Sequence, residues 1–290
     1  LLYTGLVAVA KEINREDYLK TAQKLWENVV GKKMYITGGV GSFRQEEKFG
    51  ANYQLPNNGY LETCAAAGMV FWAYNMYLAF GEGKYVDVIE RELYNGLLVG
   101  VSKEGDAYSY DNPLEWDKNM HNRWEWHECP CCPPMFLKVF SRLGSFIYSY
   151  DDYGISINLF VQSTIIIPLR GQKIKLKQET FYPWSGKVKI IIYPERTETF
   201  ELRIRIPEWC KKVKIRKNGH SINSLESKRG YIYIKNDWKM GDTIEFEMDM
   251  PIQLIKAHPL VKADLGRVAI QRGPVVYCVE AEDNPGMNVW

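Results

Sequence analysis

The apolar residues of this chain change their spacing once, near residue 150, and that change sets the architecture. Before it they recur at helical intervals. Tyr18, Ala22, Leu25, Trp26 and Val29 share one face of a stretch opened by Arg15-Glu16-Asp17 and ended by Gly31. Residues 1–13 read as the tail of another helix. Residues 63–80 form a long helix rich in alanine and aromatics, stopped by Gly81-Glu82-Gly83. Residues 84–98 form the next, carrying Val88, Ile89, Leu93 and Leu97 and closed by Gly100. Pro133-Pro134 starts a further helix through Phe136, Val139, Phe140, Leu143 and Ile147, because proline suits a first helical turn. After Asp151-Asp152 the period becomes two. Phe200, Leu202, Ile204 and Ile206 alternate with polar residues, and so do Ile244, Phe246, Met248 and Met250. Asn218-Gly219 is a hairpin turn and Gly241-Asp242 another turn signal. Short strands at this spacing indicate a β-sandwich or jelly roll. The fold expected is therefore multidomain, α then β, with a helical domain over residues 1–150 and a β-sandwich over 151–290. Residues 268–270 and 275–279 are two more strands around Arg272-Gly273-Pro274. They belong either to that sandwich or to a further β segment starting at about 265.

Length and charge narrow the function classes. A chain of 290 residues accommodates two domains. With 37 basic and 35 acidic residues the net charge is +2, which argues against a nucleic-acid binder. No apolar stretch reaches the roughly 18 residues of a membrane-spanning helix. The first residue is Leu, no signal peptide is visible, and both ends read as cut from a longer chain, so export stays open. Free thiols favour a bacterial cytoplasm, since six cysteines in a chain of this size do not form a secreted disulfide framework.

Four of those cysteines fall in two stretches, Glu62-Thr63-Cys64 and Cys129-Pro130-Cys131-Cys132-Pro133-Pro134. Proline fixes its own φ and restricts the residue before it, so the second stretch is stiff. Each stretch ends a long connection, residues 38–59 or 101–134, at the point where a helix begins. Connections of that length inside a helical domain are usually functional. Glu62, Cys64, Cys131 and Cys132 read as the four ligands of a zinc ion. Three thiolates and a carboxylate bring four negative charges to a dication. Such a centre is too electron-rich to activate water and better suited to keeping a thiolate deprotonated. A plain zinc staple and a group of buried thiols are the other readings. Cys129 is expected to be a buried thiol behind the ligands. Cys210 and Cys278, alone in strand-like sequence, are expected to be small buried hydrophobes. A cysteine acting on a sugar also needs a proton donor. Glu46 and Glu47 are candidates, although a run such as Arg44-Gln45-Glu46-Glu47-Lys48 also reads as a solvated face. Glu125 and Glu128 flank the cysteine loop as weaker candidates. His121 and His127 in the same loop read as surface or internally satisfied histidines.

Taken in order, the motifs resemble glycoside hydrolase family 127, whose sibling family 146 shares the signature. They are Met34-Tyr35-Ile36-Thr37-Gly38-Gly39-Val40-Gly41-Ser42, Glu47-Lys48-Phe49-Gly50, Leu55-Pro56-Asn57, Glu62-Thr63-Cys64-Ala65-Ala66, Tyr94-Asn95-Gly96, Asn112-Pro113-Leu114-Glu115, the cysteine–proline stretch and Val268-Ala269-Ile270-Gln271-Arg272-Gly273-Pro274. The resemblance implies an (α/α)6 barrel, about half of it in this chain, followed by β-sandwich domains. It implies retaining hydrolysis of β-L-arabinofuranosides in an arabinose-containing oligosaccharide or glycan. It implies a zinc ion (Zn2+) on Glu62, Cys64, Cys131 and Cys132, with Cys131 as nucleophile. Glu47 matches the general acid/base through the Phe49-Gly50 anchor, whereas counting back from Glu62 selects Glu46. Tyr110 matches a residue lining the sugar pocket. Two departures stand out: the loop from Leu55 to Glu62 is one residue short, and Met135 stands where the family usually has Asn. The same mechanism on another furanoside or pectic sugar, or a carbohydrate-binding fragment with structural zinc, are the alternatives. A catalyst requires the Glu47 carboxylate and the Cys131 sulfur to face one cleft, about 5–6 Å apart.

Overall fold

The computed structural model describes residues 1–116, 123–223 and 226–289. Its helical part is built around α3 (Thr63–Phe80), against which α1 (Leu2–Glu12), α4 (Gly83–Arg91) and α5 (Cys132–Phe140) pack. α2 (Glu16–Lys32) packs on α1 and sets Trp26 against Trp72 of α3. The alanines of α3 explain its central place. Ala66, Ala67, Val70, Ala73 and Met76 are buried on several of its faces, and small side chains let neighbouring helices approach closely. Gly81 ends the helix in the left-handed conformation, φ 65°, and its N–H donates to the Tyr77 carbonyl.

Three helix boundaries differ from the expected ones. Gly31 lies inside α2, which runs to Lys32. The stretch after the prolines is two helices, α5 and α6 (Leu143–Ile147). The break falls at Ser141, whose hydroxyl donates to the Lys138 carbonyl, a local bond that competes with the helical ladder. Residues 84–98 are not one α-helix either. α4 gives way to a π turn, Glu92–Leu97, and then a 3-10 turn, Leu98–Gly100. The Asn95 side chain accounts for the widening, because its Nδ2 donates to the Arg91 carbonyl at 2.9 Å and occupies an acceptor of the α ladder.

Strands begin directly after α6. They are β1 (Tyr148–Asp151), β2 (Gly154–Ile157), β3 (Ser163–Leu169), β4 (Gln172–Thr180), β5 (Lys187–Pro194), β6 (Glu198–Arg205) and β7 (Val213–Lys217). Then come β8 (His220–Ser221), β9 (Glu226–Lys228), β10 (Tyr231–Trp238), β11 (Asp242–Met248), β12 (Ile252–Ile255), β13 (Ala269–Arg272) and β14 (Val275–Tyr277). One sheet has the order β1-β2-β6-β10-β9, antiparallel except for the parallel pair β2–β6. The second, β3-β4-β5-β11-β7-β8, is antiparallel. Alternate residues of both, among them Ile174, Leu176, Ile190, Phe200, Leu202, Ile204 and Phe246, are buried in a shared core. Asn218 and Gly219, both at positive φ, make the β7–β8 turn. β13 and β14 pair with β12 in a separate three-stranded sheet and not with the two larger ones. Cys210 is buried as expected. Cys278 is exposed, because it follows the last residue of β14 and escapes the packed face.

The sheets grip the helices through polar contacts. Arg205 of β6 is fully buried and pairs with Asp87 and Glu90 of α4 at 2.5 Å each. Tyr182 and Trp209 donate to Glu90, and Arg205 Nε donates to the Asn158 carbonyl. Asn95 bonds the Pro274 carbonyl and the Val276 N–H, so the π turn holds the third sheet. The segment between β12 and β13 reaches back over the loops of the helical part. There His258 stacks on Tyr53, and Arg267 pairs with Glu115.

Candidate active site

Two helix N-termini meet at the cysteine stretches. Residues 61–64 run antiparallel to 109–112: Thr63 N–H donates to the Tyr110 carbonyl, Asn112 N–H to the Leu61 carbonyl, and Asn112 Nδ2 to Thr63 Oγ1, each at 2.9 Å. This pairing fixes Glu62, which precedes α3, and Cys64 in its first turn, alongside Tyr110. Cys131 precedes α5 and Cys132 is its first residue, with Pro133 and Pro134 completing the first turn. Because α5 packs beside α3, the two helix starts converge.

The four side chains converge as well. Their ligand atoms all lie within 4.8 Å of one another. Cys64 Sγ is 3.5 Å from Cys132 Sγ, and Cys131 Sγ is 3.8 Å from Cys132 Sγ. Glu62 Oε1 is 3.7 Å from Cys131 Sγ and 4.0 Å from Cys132 Sγ. These separations exclude disulfide bonds, and all six cysteines are free. They match the edges of a coordination tetrahedron, since sulfurs at ~2.3 Å from a zinc ion lie about 3.8 Å apart. Protonation points the same way. Hydrogen bonding from Cys64 lowers the Cys132 thiol below the ordinary range, and that same bond raises Cys64. Burial raises Cys131 to about 11. Burial, and then the Glu47 charge, raise Glu62. Four acidic groups this close oppose one another's ionisation, an opposition that a bound dication would relieve. The donor set therefore fits a tetrahedral zinc ion.

Around the cluster the structure separates residues that the sequence left together. Glu46 turns outward and pairs with Lys48 at 2.7 Å. Glu47, also exposed, accepts a hydrogen bond from Tyr60 Oη at 3.3 Å. The Tyr60 ring lies 6.2 Å from that of Tyr110, whose hydroxyl is 3.4 Å from Cys131 Sγ. Burial raises the Tyr60 hydroxyl and contact with Cys131 raises that of Tyr110, so both stay protonated near neutrality. Cys129 is exposed rather than buried. Its stretch of backbone turns outward onto His127, whose Nδ1 accepts the Cys129 N–H at 3.1 Å. On that side a cleft of about 330 Å³ is lined by Tyr108, Tyr110, Trp124, His127, Cys129 and Cys132. Glu125 and Glu128 are exposed, and His121 lies outside the described residues. Two residues that the sequence reading did not single out lie beside this group. Asp111 is buried and Arg44 pairs with it at 2.7 Å while lying over the Tyr60 ring. Nothing in their local sequence distinguishes them from surface charges.

Known proteins resemble this chain along its whole length. The β-L-arabinofuranosidase family 127 catalytic domain matches residues 3–145, the middle domain of that family residues 154–250, and its C-terminal domain residues 252–290. A non-reducing end β-L-arabinofuranosidase of Bifidobacterium longum subsp. longum is 33% identical over all of this chain and 46% of its own length. A family 127 β-L-arabinofuranosidase from Geobacillus stearothermophilus T6 is 40% identical and superposes with a TM-score of 0.94, over 97% of this chain and 46% of that one. A second solved family 127 β-arabinofuranosidase is 38% identical with a TM-score of 0.93, over 97% of this chain and 47% of that one. The chain thus spans about half the length of the relatives it matches. By this match and by the motifs it shares, the chain belongs to glycoside hydrolase family 127.

Proposed function

We propose that the full-length polypeptide is a retaining glycoside hydrolase that releases L-arabinofuranose from β-L-arabinofuranosides, with Cys131 as nucleophile and Glu47 as general acid/base. The helices would form part of an (α/α)6 barrel over residues 1–150, with jelly-roll-like sandwich packing beyond 150. The observation that carries the reading is the Cys131 sulfur itself, which belongs to the ligand cluster and also borders Tyr110. Glu62, Cys64, Cys131 and Cys132 would hold a zinc ion, which supplies the positive charge that keeps Cys131 a thiolate at neutral pH.

Cys131 Sγ attacks the anomeric carbon, and the C–S bond forms as the bond to the leaving oxygen breaks. Glu47 gives that oxygen its proton. Glu47, now a carboxylate, takes a proton from water. The water oxygen bonds to the anomeric carbon, the C–S bond breaks, and the sugar leaves with its configuration retained. Tyr60 orients Glu47 through its hydrogen bond, and Tyr110 lines the position of the sugar beside the sulfur. Replacing Cys131 by Ser in the full-length polypeptide should lower turnover by roughly 10³-fold or more without a change in the folded fraction. Wild-type turnover by Cys131→Ser would exclude Cys131 as nucleophile.

A further inference from the structure

Glu47 sits on a turn that its own sequence does not favour. Glu46 has φ 61° and Glu47 φ 45°, two consecutive left-handed residues of which neither is glycine, asparagine or aspartate. Carboxylate side chains with a Cγ methylene have no local hydrogen bond to support that conformation, so surrounding contacts must hold it. Those contacts are identifiable. Phe43 and Lys48 close the base of the turn, exchanging backbone hydrogen bonds at 3.2 and 3.3 Å. Glu46 is tied to Lys48 on the solvent side. On the inner side Arg44 reaches across to Asp111, and its guanidinium lies 4.8 Å from the centre of the Tyr60 ring. Asp111 is buried next to Tyr110 and bridges Glu62 through the backbone. Tyr60 is the residue that donates to Glu47. Arg44 therefore joins three parts: the turn that bears Glu47, the phenol that orients it, and the strand-like segment that carries Tyr110.

We propose that Arg44 is a positioning residue for proton transfer: its pairing with Asp111 and stacking on Tyr60 fix the turn so that Glu47 faces the departing oxygen. This rests on the assignment of Glu47 as acid/base made above. A planar guanidinium satisfies both roles at once, one edge toward the carboxylate and one face on the ring; a lysine ammonium retains only the ion pair.

The test compares kcat/KM of the full-length enzyme on two β-L-arabinofuranosides, one with a nitrophenol leaving group and one with an alkyl alcohol. The nitrophenolate departs without a proton, whereas the alcohol requires one. Glu47→Gln should lose activity on the alkyl substrate far more than on the nitrophenyl substrate; equal loss would overturn the acid/base assignment and this proposal with it. Given that contrast, Arg44→Met should lose about 10²-fold on the alkyl substrate and stay within a factor of about three on the nitrophenyl substrate. Arg44→Lys should fall between Arg44→Met and wild type on the alkyl substrate alone. Metal content equal to wild type checks that the cluster has formed. If Arg44→Met does not retain metal, Arg44→Lys decides. Losses shared equally by both substrates, or absent from both, would overturn the positioning role while leaving Glu47 as the acid/base.

Discussion

Cys131 and Cys132 are neighbours in sequence and their sulfurs lie 3.8 Å apart, with Cys131 already in right-handed helical conformation at the mouth of α5. The prolines and the gathering of four of the six cysteines into two short stretches made the cluster legible. Arg44 and Asp111 carried no such signal, since an isolated Arg and an Asp two positions before a proline occur on any surface. Cys129 shows the opposite failure. A third nearby thiol invites inclusion with the ligands, but the backbone bond to His127 turns it to solvent. Glu92 is the least expected residue. It is fully buried, neither carboxylate oxygen has a hydrogen-bond partner among the described residues, and it packs so tightly that a side chain at Gly38 or Gly96 would strike it. Burial raises its carboxyl well above the ordinary value. A carboxyl raised by folding contributes stability in full below its unfolded value near ~4.3 and loses it as pH rises toward the folded value. Glu92→Gln should therefore flatten the fall in Tm between acid and neutral pH, measured by thermal unfolding at several pH values. An unchanged slope would mean that Glu92 is ionised in the folded protein.

At the scale of elements, α3 and α5 pack against each other and bring Glu62, Cys64, Cys131 and Cys132 together at their N-terminal ends. Their periodicity was plain in the sequence. The π turn was not, because it depends on the Asn95 side chain and on a sheet nearly 180 residues away in sequence (Pro274 and Val276). If zinc joins the two helix starts, its removal should leave three thiols and a carboxyl crowded within a few ångströms. Stripping the metal with a chelator at neutral pH is expected to lower Tm, and re-adding zinc to restore it. The ligands bind only when deprotonated, so metal content should also fall as pH is lowered. A Tm indifferent to chelation would argue that these side chains form no structural link.

For the molecule as a whole, the switch from helical to alternating pattern near residue 150 correctly foretold helices followed by sheets. Alternation cannot say which strands share a sheet, and so β13 and β14 were left unplaced; they pair with β12. Nor could it foretell the buried Arg205 with its carboxylates on α4, which ties the halves together. Removing one partner would leave an uncompensated buried charge, which is strongly destabilising. The third sheet also touches the helical part, because the segment between β12 and β13 stacks His258 on Tyr53 and pairs Arg267 with Glu115. All of this scaffolding serves one chemical claim, that the sugar is passed through a bond to the Cys131 sulfur. It is tested most directly by trapping. Glu47→Gln, given a nitrophenyl β-L-arabinofuranoside, should form the first bond and be slow to release it. Peptide mass mapping should then find one pentosyl group on Cys131; a pentosyl group on a carboxylate, or on no residue, would contradict the account.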